Sequence, residues 1–211
     1  MTAPGKTLRG LYALTDGRLT PAERLLPAVA AAIRGGIRLV QYREKSDDLP
    51  RRRAEAQALL ALCRAHGALL IINDDIALAV EIGADGVHLG RDDASLAAAR
   101  IQLGPRAIIG ISCYDSLERA VAAAQAGADY VAFGSFYPSA TKPQAIRAPL
   151  ELLPVARRHL SIPICAIGGI TPENGLALLA AGADMLAVIH GLFAAPDVTA
   201  AARAYAGLFL G

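Results

Sequence analysis

Short hydrophobic runs alternate with longer Ala- and Leu-rich segments along the whole chain of 211 residues. Continuous apolar runs of this kind are typical of strands that are buried on both faces of a parallel sheet. We predict strands at Leu11–Leu14, Leu39–Tyr42, Leu69–Ile72, Gly86–Leu89, Ile108–Ile111, Tyr130–Phe133, Ile164–Ile167 and Met185–Ile189. We predict helices at Pro21–Ile33, Leu49–His66, Ser95–Leu103, Ser116–Ala126 and Pro172–Ala181.

This alternation favours an α/β fold, a single-domain (β/α)8 TIM barrel over residues 1–211, near the short end of that fold's size range. A Gly-Ala-Asp tripeptide precedes three of the strands, at Gly83–Asp85, Gly127–Asp129 and Gly182–Asp184. Glycine can end a helix in the left-handed conformation, so we interpret these turns as structural. The alternative is an open doubly wound sheet, but no Gly-x-Gly-x-x-Gly motif follows the first strand.

Composition narrows the functional classes. The chain is 54% hydrophobic and 19% charged, with a net charge of +2 and no basic run interleaved with aromatic residues, which disfavours nucleic acid as a partner. No apolar stretch is long enough to span a membrane, and Met1–Lys6 lacks a signal-peptide core. The spacing of Cys63, Cys113 and Cys165 disfavours disulfides and zinc. We expect a cytoplasmic protein; the uniform Ala- and Leu-rich helix faces leave a homo-oligomer open.

The active site of a (β/α)8 barrel lies at the carboxyl ends of its strands, so polar residues there are the candidates. Gln41, Arg43 and Lys45 follow the second strand, and their alternate spacing puts three side chains on one side of an extended segment. Two cations that face one way suit a diphosphate. The alternative is a surface strand end at which Arg43 or Lys45 pairs with Glu44 or Asp47.

Two acidic pairs follow the third and fourth strands, at Asp74-Asp75 and Asp92-Asp93. Mg²⁺ prefers oxygen ligands, commonly one or two carboxylates and the phosphates of a substrate. We therefore predict a magnesium site at Asp74 and Asp93. Helix capping is the alternative for both pairs, and we expect one of Asp74 and Asp75 to cap a helix while the other faces the site.

A turn, a long loop and two histidines carry further candidate residues. The Gly168-Gly169 turn lies just before a helix that starts at Thr171-Pro172, which favours a phosphate site over a plain turn. The long loop of residues 134–147 contains Lys142, which we predict to close over phosphates. His88 lies inside an apolar strand and is interpreted as packed and hydrogen-bonded, whereas His190 is placed to reach the site.

Five motifs, in this order, resemble the thiamine-phosphate synthase family: Gln41–Lys45, Ile72–Asp75, Ala84–Gly90, Pro138–Lys142 and Ala166–Ile170. The resemblance runs from about Tyr12 to about Phe193. It implies condensation of 4-amino-2-methyl-5-hydroxymethylpyrimidine diphosphate with a thiazole phosphate or its carboxylate, giving thiamine phosphate and pyrophosphate.

The resemblance also implies roles for individual residues. Mg²⁺ would be held by Asp74 and Asp93. The pyrimidine diphosphate would be bound by Gln41, Arg43, Lys45, Asn73 and Lys142, with Ser112 beside the pyrimidine. The thiazole phosphate would be held by Thr141, by the Gly168-Gly169 turn and by the backbone of Val188 and Ile189. The catalytic groups would be Arg43, Lys45, Ser112 and Lys142.

The chain departs from the family pattern at a few positions. Gly134-Ser135 stands where the family commonly has Gly-Pro, and Ser139 replaces a threonine but keeps the hydroxyl for substrate binding. His190 stands where a serine is frequent. The rival functions are a thiazole tautomerase with the same barrel and a non-catalytic phosphate-binding barrel. A phospho-sugar isomerase or aldolase is disfavoured because no lysine lies inside a predicted strand.

Overall fold

A computed structural model describes residues 8–90, 95–139, 144 and 146–210. Its strands form a closed parallel barrel in sequence order, which confirms the predicted (β/α)8 fold. The strands are β1 (Gly10–Leu14), β2 (Leu39–Tyr42), β3 (Leu69–Asn73), β4 (Gly86–Leu89), β5 (Ile108–Tyr114), β6 (Tyr130–Phe133), β7 (Ile164–Ile167) and β8 (Met185–Val188). The barrel closes where Gly10 of β1 pairs with Met185 of β8.

The helices follow the strands along the chain and lie on the outside of the barrel. They are α1 (Ala22–Arg34), α2 (Leu49–Ala65), α3 (Ile76–Ile82), α4 (Leu96–Leu103), α5 (Leu117–Gln125), α6 (Leu152–His159), α7 (Pro172–Ala180), α8 (His190–Phe193) and α9 (Val198–Gly207). In the described ranges, no helix combines the length and the hydrophobicity that a membrane span requires.

Strand ends differ from the prediction where polar residues extend the ladder. β3 continues to Asn73, and β5 continues to Tyr114 with a register shift between Ser112 and Tyr114. The predicted end of β8 at Ile189 is wrong, because Ile189 precedes the short helix α8 and leaves the extended conformation. These three deviations lie at the carboxyl ends of strands, where the barrel has its site. At the amino end, β1 begins one residue earlier than predicted, at Gly10.

The core has two layers. Residues that point into the barrel, including Tyr12, Ile71 and Tyr130, form an inner cluster. A larger cluster fills the space between the strands and the helices. Cys63 and Cys165 are buried as expected, and Cys113 is buried too.

The Gly-Ala-Asp turns join neighbouring strands at the amino end of the barrel. Asp129 Oδ2 accepts hydrogen bonds from the backbone N–H of Ile109 (2.8 Å) and from Arg100 (2.7 Å). Asp184 Oδ2 does the same with the N–H of Ile164 (2.8 Å) and with Arg157 (3.0 Å). The structural interpretation of these turns is therefore confirmed.

Candidate active site

A cavity of about 370 Å³ opens at the carboxyl ends of the strands. The predicted site residues that line it are Gln41, Arg43, Asn73, Ser112, Ser139, Gly168, Gly169, Val188 and Ile189, and His190 lines it as well. Lys45 and Asp74 are not among the lining residues, although Asp74 directly follows Asn73. Asp93, Thr141 and Lys142 fall outside the described residues. The structure therefore gathers strand ends that are distant in sequence around one cavity.

The cations after β2 are held by carboxylates. Arg43 lies 3.6 Å from Asp16, and its side chain is only 19% exposed. Lys45 is 59% exposed and its Nζ contacts the carboxylate of Asp74. The pairings suggested as an alternative, with Glu44 or Asp47, are thus replaced by partners from other strand ends. Arg43 therefore lines the cavity, whereas Lys45 lies outside the lining and is tied to Asp74.

The two aspartates after β3 have different roles. Asp75 caps α3, because its Oδ1 accepts a hydrogen bond of 2.9 Å from the backbone N–H of Leu78. This confirms the prediction that one of the pair is a cap. Asp74 takes the left-handed conformation (φ 64°) and turns its carboxylate toward Lys45 and the Asn73 amide.

Asp74 is the member of the predicted metal pair that the structure describes, and it directly follows Asn73, which lines the cavity. The Lys45 ammonium already occupies a position against Asp74 Oδ2, which shows that the carboxylate attracts a cation there. The described residues contain no group of three His, Cys, Asp or Glu side chains that would hold a metal by themselves. Magnesium commonly takes only one or two carboxylates and completes its shell with phosphate and water, so Asp74 suits it better than a metal that needs a full protein cage.

A chain of hydrogen bonds lies beneath the cavity, and sequence reasoning missed two of its members, Tyr12 and Tyr130. Gln41 Nε2 donates to Tyr12 OH (2.8 Å), and the two tyrosine hydroxyls are 3.0 Å apart. His88 Nδ1 is 2.9 Å from Tyr130 OH, and its Nε2 is 2.8 Å from Ser112 Oγ. The interpretation of His88 as packed and hydrogen-bonded is confirmed.

Strand register explains why this chain forms. His88 pairs with Gly110, which pairs with Tyr130 on its other side. Because Gly110 has no side chain, the Tyr130 ring occupies the space above it and meets the imidazole, with the two rings stacked 5.5 Å apart. Burial raises the pKa of both Tyr12 and Tyr130 well above the usual value of 10.0, so both keep their hydroxyl hydrogens at neutral pH.

Arg119 on α5 is a further residue that the sequence did not indicate. Its Nε donates to the backbone carbonyl of Ser112 (2.8 Å), and its Nη2 donates to that of Gly90 (3.1 Å). The guanidinium thus joins the ends of β5 and β4 and fixes the backbone that carries Ser112. An arginine in the first turn of a helix has no sequence signature for this role.

The turn after β7 brings backbone close to the cavity. Gly168 and Gly169 have φ values of 106° and 61°, a region that side chains disfavour. Asn174 holds the turn, since its Oδ1 accepts from the Thr171 N–H (2.8 Å) and its Nδ2 donates to the Gly169 carbonyl (3.1 Å). Within the described ranges, the N–H groups of Gly169 and Ile189 donate no hydrogen bond. They are free for an anion in the cavity.

The base of the loop after β6 is tied together beside this turn. The backbone N–H of Ser135 donates to the carbonyl of Ile146 (3.1 Å), and the carbonyl of Ser135 accepts from the N–H of Ala148 (3.0 Å). Arg147 donates to the carbonyl of Phe136 (2.8 Å). The loop therefore starts and ends at the wall of the cavity, and Lys142, the residue predicted to close over phosphates, lies outside its described part.

A sequence model described as thiamine monophosphate synthase matches residues 11–192. The chain belongs to the thiamine monophosphate synthase family.

Relatives within this family cover nearly the whole chain. The thiamine-phosphate synthase of Thioalkalivibrio sulfidiphilus is 58% identical over 209 residues, covering 99% of both chains. That of Nitrosococcus oceani is 58% identical over 199 residues, covering 94% of this chain and 92% of the relative. The solved thiamine phosphate pyrophosphorylase from Pyrococcus furiosus superposes with a TM-score of 0.86 at 35% identity, covering 94% of both chains. The predicted resemblance and the predicted enzyme type, a thiamine-phosphate synthase, are confirmed.

Proposed function

We propose that this protein joins 4-amino-2-methyl-5-hydroxymethylpyrimidine diphosphate to a thiazole phosphate or its carboxylate, forming thiamine phosphate and releasing pyrophosphate and, from the carboxylate, also CO2. The observation that carries the proposal is the cavity in which Gln41, Arg43, Asn73 and Ser112 meet at the carboxyl ends of three strands, β2, β3 and β5. Family membership supports the same reaction type.

The diphosphate would be bound at the β2–β3 edge of the cavity. Arg43 and Lys45 bring two positive charges there, and Lys142 is expected to add a third from the loop after β6. Mg²⁺ at Asp74 and Asp93 would supply further positive charge to neutralise the departing diphosphate. When the diphosphate binds, Lys45 would exchange its contact with Asp74 for the phosphate oxygens.

The pyrimidine would occupy the deeper part of the cavity beside Gln41, Asn73 and Ser112. The C–O bond between its methylene carbon and the diphosphate breaks, and the electron pair leaves with the pyrophosphate. The electron-rich aminopyrimidine stabilises the positive methylene that remains. The thiazole nitrogen then donates its lone pair to this carbon and forms the new C–N bond. No side chain has to act as nucleophile, so catalysis consists of positioning and charge stabilisation.

The thiazole phosphate would be bound on the opposite side, at the ends of β7 and β8. The N–H groups of Gly169 and Ile189, which donate no hydrogen bond among the described residues, support this site, and the amino terminus of α7 favours negative charge. Val188, Ser139 and Thr141 would complete it. In this arrangement the thiazole would lie across the cavity from the diphosphate.

The rival tautomerase would not need a diphosphate edge. The Lys45–Asp74 contact beside Arg43 is the observation that favours the synthase over it. A non-catalytic phosphate-binding barrel would bind these ligands without turnover.

The deciding experiment is product formation measured by mass spectrometry. Purified protein is mixed with the pyrimidine diphosphate and the thiazole phosphate, with Mg²⁺ in one sample and a chelator in another. We expect thiamine phosphate and pyrophosphate only with Mg²⁺. Product at the same rate in chelator would remove the metal assignment, and ligand binding without product would favour the non-catalytic barrel.

A further inference from the structure

The hydrogen-bond chain beneath the cavity has a direction, and the amide of Gln41 sets it. Gln41 Nε2 carries only hydrogens and no acceptor lone pair, so Tyr12 OH accepts from it. The hydrogen of Tyr12 must then go to its other neighbour, Tyr130 OH. If the chain ran the other way, the Tyr12 hydrogen would face a second donor and would have no acceptor.

The same reasoning continues through His88. Tyr130 accepts from Tyr12, so its own hydrogen goes to His88 Nδ1, which must be unprotonated. Neutral imidazole carries one hydrogen, which is then on Nε2 and is donated to Ser112 Oγ. Within the described ranges, His88 is the only side chain that bonds the Ser112 hydroxyl. The Ser112 hydrogen is therefore left for a ligand in the cavity.

We propose that this directed chain fixes His88 in the Nε2–H tautomer and makes Ser112 a hydrogen-bond donor to the substrate. Tyr12, Tyr130 and His88 are then positioning residues, because they act through Ser112 rather than on the reacting atoms.

The donor and acceptor at the two ends of this hydrogen-bond chain specify a class of ligand. Ser112 offers a donor, whereas Gln41, whose Nε2 is directed to Tyr12, has its Oε1 left as an acceptor, and both residues line the same cavity. A heteroaromatic amine presents the complement, an amino donor and a ring-nitrogen acceptor. This step rests on the proposed function, whose pyrimidine substrate belongs to that class.

The tautomer can be measured without any substrate. Protein labelled with ¹⁵N at its four histidines gives two-bond ¹H–¹⁵N correlations whose pattern separates the two tautomers, and the spectrum of His88→Gln assigns the signal. We expect the Nε2–H form in the wild type, a mixture in Tyr130→Phe, and no change in Tyr42→Phe. Tyr42 is the matched control because its hydroxyl donates to Glu55, which is not part of the hydrogen-bond chain beneath the cavity. An Nδ1–H tautomer or an imidazolium at pH 7.5 would overturn the proposal.

A kinetic cycle tests whether the chain acts through Ser112. His88→Leu removes the donor, and we expect kcat/KM to fall about 3- to 10-fold, the value of one neutral hydrogen bond. His88→Gln, whose amide can still donate, should recover most of that loss. In a Ser112→Ala background, His88→Leu should have no further effect.

The double variant separates a His88 that acts through Ser112 from a merely structural His88. Independent, multiplying losses in the double variant would show that His88 is merely structural and would sink the proposal. If the wild type makes no thiamine phosphate, the proposed function fails, while the tautomer measurement still decides the direction of the chain.

Discussion

Gly110→Ala is the substitution that tests the packing beneath the cavity most directly. A Cβ built on Gly110 would overlap the ring and hydroxyl of Tyr130, which is fully buried and cannot move toward solvent. Forcing an extra methyl group into a packed core costs about 1–3 kcal/mol. We expect the upper end here, because the Tyr130 ring is also confined by His88 and by the edge-on ring of Tyr12.

The expected loss of stability is large enough to measure. A cost near 3 kcal/mol corresponds to a fall in Tm of roughly 6–12 °C for a chain of this size. Displacement of Tyr130 should also break its bond to His88 and lower kcat/KM about 3- to 10-fold. Thermal denaturation followed by circular dichroism and steady-state kinetics give the two values.

Two comparisons show whether the overlap is the cause. Gly207→Ala meets no neighbour within 4 Å and lies in α9, so we expect at most a slight stabilisation, up to about 1 kcal/mol. Tyr130→Leu removes the obstructing ring, so adding Gly110→Ala to it should cost much less than Gly110→Ala alone. An unchanged Tm for Gly110→Ala, or full additivity in the double variant, would refute the reasoning.

Three further predictions follow from the aspartates and the buried thiols. Asp75→Ala should cost about 1 kcal/mol of stability through loss of the cap, whereas Asp74→Ala should abolish Mg²⁺-dependent turnover with little change in Tm; the opposite pattern would exchange their roles. Asp129→Asn weakens both the Arg100 ion pair and the bond to Ile109, and urea denaturation should show a loss of about 1–3 kcal/mol. Burial raises the pKa of Cys63 from 9.0 to about 12, so unfolding exposes a thiol that ionises more readily. The free energy of unfolding should therefore be unaffected by this thiol below about pH 9 and should fall as the pH rises toward 12. Denaturation of Cys63→Ala over the same pH range should show a smaller fall.

The barrel could be predicted from the sequence because each strand is a short apolar run that can be buried on both faces. Strand ends were less certain, since Asn73 and Tyr114 are polar and only the pairing of neighbouring strands shows that they continue the ladder. The hydrogen-bond chain could not be predicted at all. It depends on His88 and Tyr130 lying at one level on either side of Gly110. The sequence of a single strand does not determine its register with the neighbouring strands.

The local sequence also does not determine whether Asp74 or Asp75 caps α3. Either residue can cap a helix that starts after Asn73, so the local sequence leaves both arrangements open. The structure decides through the backbone: the N–H of Asp74 bonds the carbonyl of His88 at 2.9 Å, which extends the β3–β4 contact by one residue. The helix must then begin one residue later, with Asp75 as its cap. If that bond were lost, Asp74 could take the cap position, and its carboxylate would be withdrawn from Lys45 and from the edge of the cavity proposed for the diphosphate.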